Sequence, residues 1–81
     1  MTQIQKDYLE ILNKVVAIRK ANNHTIEEMG KYLNKSKATM SQFERNLGGF
    51  NYDLLFSYCG IFDINISLIF NIRTFQDKLY G

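Results

Sequence analysis

The chain has 81 residues, of which 46% are hydrophobic, and it contains no proline. This composition is typical of a globular protein, and so short a chain supports one hydrophobic core, so we expect a single domain over residues 1–81. The formal net charge is only +2. The sequence contains no run of about 18 apolar residues that could span a membrane, and its first residues lack the order of a signal peptide. These two features predict a cytoplasmic protein.

The first predicted helix covers residues 3–21. Its apolar side chains recur at the three- and four-residue spacing of one buried helical face, at Ile4, Tyr8, Ile11, Leu12, Val15 and Ile18. Thr2 and Gln5 have the spacing of a capping box, in which each side chain bonds the backbone N–H of the other residue. The polar residues 22–24 end this helix.

Residues 25–45 have the pattern of two short helices joined by a tight turn. Thr25 and Glu28 form a second predicted capping box, so the first helix of the pair begins near residue 26. Its buried side follows helical spacing at Ile26, Met29 and Leu33.

The turn between these two helices is about three residues long. Asn34 tolerates the left-handed backbone that ends a helix, and Ser36 can cap the helix that follows. Two helices joined in this way pack closely at an angle, and we expect Gly30 to face their junction. This layout is that of a helix-turn-helix.

The second helix of the pair has an apolar side and a polar side. Met40 and Phe43 recur at helical spacing and are expected to be buried. The side chains left outside suit DNA, because Lys, Arg and Gln donate to bases or phosphates and a methyl group can contact thymine; they are Lys37, Ala38, Ser41, Gln42 and Arg45. The alternative is an ordinary solvated helix surface.

After the motif, residues 46–49 form a predicted turn, and Asn51 can cap a further helix. That helix turns Leu54, Leu55, Tyr58 and Phe62 inward. A break at residues 63–65 precedes a last helix from residue 66, so the sequence predicts five helices. Residues 1–47 contain eight basic and five acidic residues, whereas the remainder contains two basic and three acidic residues. The motif half therefore carries the positive charge.

The last predicted helix, residues 66–80, has more apolar residues than one side of a terminal helix can bury. We expect it to join two copies of the chain in a symmetric homodimer, which would place two recognition helices about one DNA turn, roughly 34 Å, apart. The interface residues are expected to be Ile69, Ile72, Phe75 and Leu79. Alternatively, the segment folds back on its own core, and Phe75 and Leu79 could extend as a strand.

Catalytic and metal-binding patterns are missing from the sequence. Cys59 stands alone within an apolar helix, which indicates a buried thiol and no nucleophile. His24 has no second His, Cys or carboxylate cluster at ligand spacing, so we expect no metal site and no cofactor. No nucleophile–base pair can be assembled, and Gly48 and Gly49 are explained by a turn. An enzyme is therefore not expected.

Residues 13–70 resemble the lambda-repressor-like, or Cro/C1-type (XRE), helix-turn-helix domains. The family pattern of the first motif helix is present as Thr25, Glu28, Met29 and Gly30. The pattern of its recognition helix is present as Ser36, Thr39, Met40, Ser41, Phe43 and Glu44. This resemblance implies a compact, all-α domain of five helices whose recognition helix enters the major groove of double-stranded DNA.

The same resemblance implies roles for single residues. The base-facing positions are Lys37, Ala38, Ser41 and Gln42. The phosphate-binding positions are Ser36, Arg45 and Asn46, and the turn adds Lys35 where the family usually has an aliphatic residue. Arg19 and Glu44 occupy the positions of a structural ion pair. Ile26 stands where the family often has a phosphate-binding Gln.

The leading hypothesis is a sequence-specific transcriptional regulator, a repressor or autoregulator, that binds a pseudo-palindromic operator as a homodimer. Small XRE-type regulators of this length are typical of phages and mobile elements. The competing hypothesis is a helix-turn-helix protein-interaction module that sequesters another regulator without binding DNA. Ile26 and the low net charge favour this second hypothesis, whereas the basic residues around the second motif helix oppose it.

Overall fold

Four helices account for most of residues 1–64, the part of the chain that the structure describes. In this computed structural model they are α1 (Gln3–Ala21), α2 (Ile26–Leu33), α3 (Lys37–Glu44) and α4 (Tyr52–Ile61). Residues 1–64 are thus all-α, as the sequence predicts. The predicted fifth helix lies outside the described residues, and so do the predicted interface residues Ile69, Ile72, Phe75 and Leu79.

Each of the four helices begins at a side-chain cap. The cap oxygen accepts a hydrogen bond from the backbone N–H three residues later, at 3.0–3.1 Å, which satisfies a donor that the helix itself leaves unpaired. At Thr2 and Thr25 the bond is reciprocated by Gln5 and Glu28, so both predicted capping boxes are present. The four caps are Thr2, Thr25, Ser36 and Asn51.

The turn between α2 and α3 is as short as predicted. Asn34 adopts the left-handed conformation, with φ 56° and ψ 46°, and ends α2. The Lys35 N–H then donates to the Gly30 carbonyl at 2.8 Å, which satisfies one of the last carbonyls of α2. Ser36 follows directly as the cap of α3. These bonds fix how α3 leaves α2.

Gly30 is required at this turn by a close backbone contact. A Cβ atom at this position would lie 2.6 Å from the Lys35 carbonyl oxygen and 3.5 Å from Cγ of Met40. The sequence predicts that Gly30 admits the second helix. The tightest contact is instead with the backbone of the turn, because the Lys35 N–H to Gly30 bond draws the turn onto α2.

Gly30→Ala should therefore lower the free energy of unfolding by about 1–3 kcal/mol, because a backbone carbonyl cannot move aside as a flexible side chain can. The matched control is Gly60→Ala in α4, where no atom of residues 1–64 outside the local helix backbone and the two neighbouring residues lies within 4 Å of the added Cβ. That variant should gain stability, by about 0.5–1 kcal/mol, through the better helix propensity of Ala. Urea unfolding followed by circular dichroism measures both variants. Equal effects of the two substitutions would contradict this account of the turn.

The core joins all four helices and determines which side of α3 is buried. Met40 is fully buried and Phe43 is 4% exposed. The Phe43 ring packs edge-on against Tyr58 of α4, with 5.0 Å between ring centroids. Within residues 1–64 the buried apolar cluster is Tyr8, Ile11, Leu12, Val15, Met29, Met40, Phe43, Leu54, Leu55, Tyr58 and Cys59. The opposite side of α3 is consequently left to solvent.

Two details of α1 and one of α4 differ from the predicted spacing. Ile4 and Ile18 are only half-buried, because they lie near the ends of a helix that is longer than the core beneath it. Asp7 is buried, and its Oδ1 accepts a hydrogen bond from Gln3 at 3.0 Å. Phe62 is likewise half-buried and packs on the edge of the core.

Candidate nucleic-acid interface

Helix α3 presents to solvent three of the four side chains that the sequence assigns to base contacts. Lys37, Ala38 and Gln42 are exposed, whereas Ser41 is half-buried. Ser41 lies between Lys37 and Arg45 on the same side of the helix, because residues four positions apart stand one turn above another, but it is only partly exposed. We define the outer face of α3 as the exposed side chains that the sequence assigns to DNA contacts on this helix and its C-terminal cap, namely Lys37, Ala38, Gln42 and Arg45.

The turn before α3 contributes two of the predicted phosphate contacts. Lys35 is exposed, and its side chain makes no hydrogen bond or ion pair with residues 1–64. The Ser36 hydroxyl is engaged twice by Thr39, accepting from its N–H at 3.1 Å and donating to its Oγ1 at 2.9 Å. Lys35 is therefore free to meet a phosphate, whereas the Ser36 hydroxyl must first exchange its bond to Thr39.

The end of α3 contributes the other two predicted phosphate contacts. Arg45 is exposed, and Asn46 is half-buried in the left-handed conformation, with φ 54°. Asn tolerates this conformation better than most residues, which explains its presence at the end of the helix. The Asn46 Oδ1 atom is buried without a hydrogen-bond partner. Only the amide nitrogen of this side chain can donate to a phosphate.

Lys37 is the one member of the outer face whose charge is already engaged within residues 1–64. Its Nζ lies 3.0 Å from Oε1 of Glu27, in the first turn of α2, and both side chains remain more than 60% exposed. The sequence pattern does not indicate this ion pair. Its members are ten positions apart in sequence, on either side of the α2–α3 turn, so the contact depends on the angle between α2 and α3.

A buried ion pair fixes the C-terminal end of α3, where Glu44 lies. Arg19 of α1 donates from Nε to Oε2 of Glu44 at 2.7 Å and from Nη2 to Oε1 at 2.8 Å. The two side chains are only 8% and 5% exposed. Arg19 also donates from Nη1 to the His24 carbonyl at 2.7 Å. The two residues to which the family resemblance gives a structural role are thus in bidentate contact.

Tyr58 extends this ion pair to α4. Its hydroxyl donates to Oε2 of Glu44 at 2.6 Å. Burial raises the pKa of Tyr58 well above its usual value, and the hydrogen bond to the Glu44 carboxylate raises it further. Tyr58 therefore remains a neutral donor at neutral pH. The sequence pattern indicated only an inward-facing core residue, because helical spacing does not reveal which polar group a buried hydroxyl will meet.

Ile26 occupies the position at which the resembling family often has a phosphate-binding Gln. It is half-buried and packs against the core cluster. An apolar side chain therefore stabilises the start of α2 here by burying surface. The phosphate contacts of the candidate interface must come from other residues.

Two open grooves share the Lys37–Glu27 pair in their linings. The first groove runs along the loop between α1 and α2 and includes Lys20 and Thr25. The second runs along the turn between α2 and α3 and includes Lys31 and Lys35. Both are open to solvent, so this surface suits an extended ligand better than an enclosed small molecule.

Cys59 and His24 have potentially reactive side chains, but both pack against other residues of the fold. Burial raises the pKa of the Cys59 thiol, which keeps it protonated and poorly nucleophilic. The half-buried His24 ring packs against Tyr32 and Phe62, with centroid distances of 5.7 Å and 5.5 Å. Within residues 1–64, no group of three or more His, Cys, Asp or Glu residues is arranged to hold a metal ion.

Two further results bear on the class of the protein. None of the described helices combines the length and the apolar character needed to cross a membrane. Comparisons of the chain with protein-family models, with curated proteins and with solved structures found no match.

Proposed function

We propose that this protein is a sequence-specific DNA-binding transcriptional regulator that reads the major groove with α3. The observation that carries the proposal is the outer face of α3, which is free of acidic residues and stands opposite the buried side of the same helix. A helix of this kind fits the width of the major groove. The resemblance to lambda-repressor-like domains supports the same assignment.

The chemistry of the outer face supports base recognition. Gln42 can bond adenine in a bidentate manner, Lys37 can donate to the acceptors of guanine, and the Ala38 methyl can contact thymine. The half-buried Ser41, on the same side of the helix between Lys37 and Arg45, can donate to or accept from a base. These side chains are the proposed source of sequence specificity.

Groups at both ends of α3 can contact the DNA backbone. Lys35 precedes the helix and Arg45 follows it, and both side chains are exposed. Ser36 and Asn46 are the neutral members of the proposed phosphate set. Contacts on both sides of a recognition helix fix its register in the groove without reading sequence.

A rigid mounting for α3 is a further argument in favour of the proposal. The buried Arg19–Glu44 pair and the Tyr58 hydroxyl connect α3 to α1 and α4 through hydrogen bonds of 2.6–2.8 Å. Side chains on a helix held in this way keep a constant spacing, which base recognition requires. The proposed reading helix is thus attached to the core at the end opposite its Ser36 cap.

The regulator is proposed to act as a homodimer in the cytoplasm, as a repressor or autoregulator, on a pseudo-palindromic operator. A net charge of +2 gives one copy only a modest electrostatic attraction to DNA, so two copies on one site supply the missing affinity. The interface assigned to Ile69, Ile72, Phe75 and Leu79 rests on the sequence pattern alone.

The experiment that tests the proposal is selection of bound sequences from a pool of random duplexes. The wild-type protein is compared with Lys37→Ala/Gln42→Ala, and each selection is run at two salt concentrations. The matched control is Asn13→Ala/Lys14→Ala, which removes one amide and one positive charge from exposed positions of α1.

We expect the wild-type protein and the control to enrich an inverted repeat, and the Lys37→Ala/Gln42→Ala variant to lose that enrichment. Enrichment of a single half-site would support sequence-specific DNA binding but contradict the proposed homodimer. Absence of any enrichment by folded wild-type protein would reject the proposed function.

A protein-interaction module that sequesters another regulator is the second candidate, because large apolar side chains remain exposed near α4. Leu47 is 62% exposed and Phe56 is 42% exposed. Large apolar side chains that are exposed can mark a protein interface when they form a patch. This candidate predicts a folded protein that selects no sequence from the duplex pool.

A further inference from the structure

The Lys37–Glu27 ion pair places a carboxylate beside the side chain proposed to read DNA. Glu27 and Glu28 are adjacent in the first turn of α2 but have different partners. Glu28 completes the capping box by accepting from the Thr25 N–H at 3.0 Å, whereas Glu27 points its Oε1 at Nζ of Lys37. Capping explains Glu28, and the helix dipole favours an acidic residue at either position, but neither explains why the Glu27 carboxylate contacts Lys37.

The ion pair between Glu27 and Lys37 adds little to stability. The Glu27 side chain is 62% exposed and that of Lys37 is 66% exposed. Ion pairs in water at this level of exposure contribute little to folding, because solvent and salt screen the attraction and both long side chains lose freedom. The consequence of the pair is to be sought in what these two charges do to a ligand.

The surroundings of Glu27 are otherwise basic. Among residues 1–64 it is the only acidic residue that lines either open groove described above, whereas the lysines in those linings are Lys20, Lys31, Lys35 and Lys37. These residues surround the end of α3 that is proposed to enter the major groove. A polyanion approaching this end meets four ammonium groups and one carboxylate, and that carboxylate is in contact with one of the four.

We propose that Glu27 is a specificity-determining residue that holds Lys37 away from DNA until a base acceptor replaces the carboxylate. This inference rests on the proposed function. On random DNA, Lys37 remains bound to Glu27 and neutralises no phosphate. At a cognate site, an acceptor in the major groove takes over the ammonium group. Glu27 thereby weakens binding to random DNA, which is how a competing contact increases specificity.

The test is a double-mutant cycle on DNA affinity. Fluorescence anisotropy measures binding of labelled random duplex, and of the selected duplex, to wild type, Glu27→Gln, Lys37→Ala and the double variant over a series of salt concentrations. Glu10→Gln is the matched control, because it removes the same charge from an exposed position of α1. Thermal unfolding verifies that every variant is folded.

Glu27→Gln should tighten binding to random duplex about 3- to 10-fold at low salt and steepen the salt dependence by about 0.9 per protomer, since one more lysine then displaces counterions. The gain on the selected duplex should be smaller. In the Lys37→Ala background, Glu27→Gln should change affinity less than about twofold, and Glu10→Gln should behave as wild type.

Three other outcomes would overturn the inference, and they differ in whether the proposed DNA-binding function is also rejected. An equal gain from Glu27→Gln in both backgrounds means that Glu27 repels DNA without acting through Lys37. No gain in either background means that the ion pair does not affect binding. Both results leave the proposed DNA-binding function intact. If wild type and all variants fail to bind both duplexes, the proposed function fails, and this inference fails with it.

Discussion

Replacing Glu44 by Ala should lower the free energy of unfolding by about 3–5 kcal/mol, the largest loss of stability that we expect from a single substitution here. The Arg19 side chain is 8% exposed, so without Glu44 its charge is buried with only the His24 carbonyl as acceptor. The Tyr58 hydroxyl also loses its acceptor. A domain of this size is stable by about 4–12 kcal/mol, so the loss is a large part of the total.

Urea unfolding at neutral pH, followed by circular dichroism, measures this effect, and three variants locate its cause. Tyr58→Phe removes only the hydroxyl and should lose about 1–3 kcal/mol. Arg19→Met/Glu44→Leu replaces the buried charges by apolar groups and should recover much of the stability lost in Glu44→Ala. Glu10→Ala on the exposed side of α1 should change stability by less than about 0.5 kcal/mol. A similarly small effect of Glu44→Ala would show that the ion pair is not buried in solution.

Helix boundaries were predictable from sequence because their causes are local. Each cap involves residues three positions apart, and Asn34 ends α2 through its own backbone preference. The burial of Met40 and Phe43 follows from helical periodicity in the same way. Short-range geometry of this kind needs no knowledge of how the helices pack.

Contacts between helices were harder to predict, because spacing along one helix carries no information on its neighbour. The Tyr58–Glu44 hydrogen bond joins residues 14 positions apart, and the Lys37–Glu27 pair crosses the α2–α3 turn. The burial of Asp7 was missed for a related reason: apolar periodicity does not identify a polar residue that has found a partner in its own helix. Arg19 and Glu44 were named only through the resemblance to a family.

The sequence predicts which residue types lie at the candidate interface. It predicts less well which of their side chains are free of other contacts. Lys37, Gln42 and Arg45 are exposed as the pattern of α3 indicates. Whether each side chain is available to DNA depends on its other contacts. Lys37 contacts Glu27 across a turn, and the Ser36 hydroxyl is occupied by Thr39. Availability is thus a property of the folded chain.

The proposed contacts to DNA differ in the kind of loss that each substitution should cause. Gln42→Ala should weaken binding to the selected operator by about 1–3 kcal/mol and relax the preference at one base position, because the side chain is exposed and has no partner within residues 1–64. Arg45→Ala should weaken binding to operator and random duplex alike and reduce the salt dependence by about 1 per protomer, as expected for a phosphate contact.

Lys37→Ala should resemble Gln42→Ala in kind but cause a smaller loss, since Lys37 is also proposed to read a base but must first leave Glu27. Its loss at the operator should be smaller than that of Gln42→Ala, because the contact with DNA replaces an existing ion pair at 3.0 Å. On random duplex it should have little effect. Anisotropy titrations with the operator and with each single-base variant of it measure all three substitutions, with Lys14→Ala as the exposed control on α1. If all three lower affinity for operator and random duplex by the same factor, α3 binds the DNA backbone and does not read its sequence.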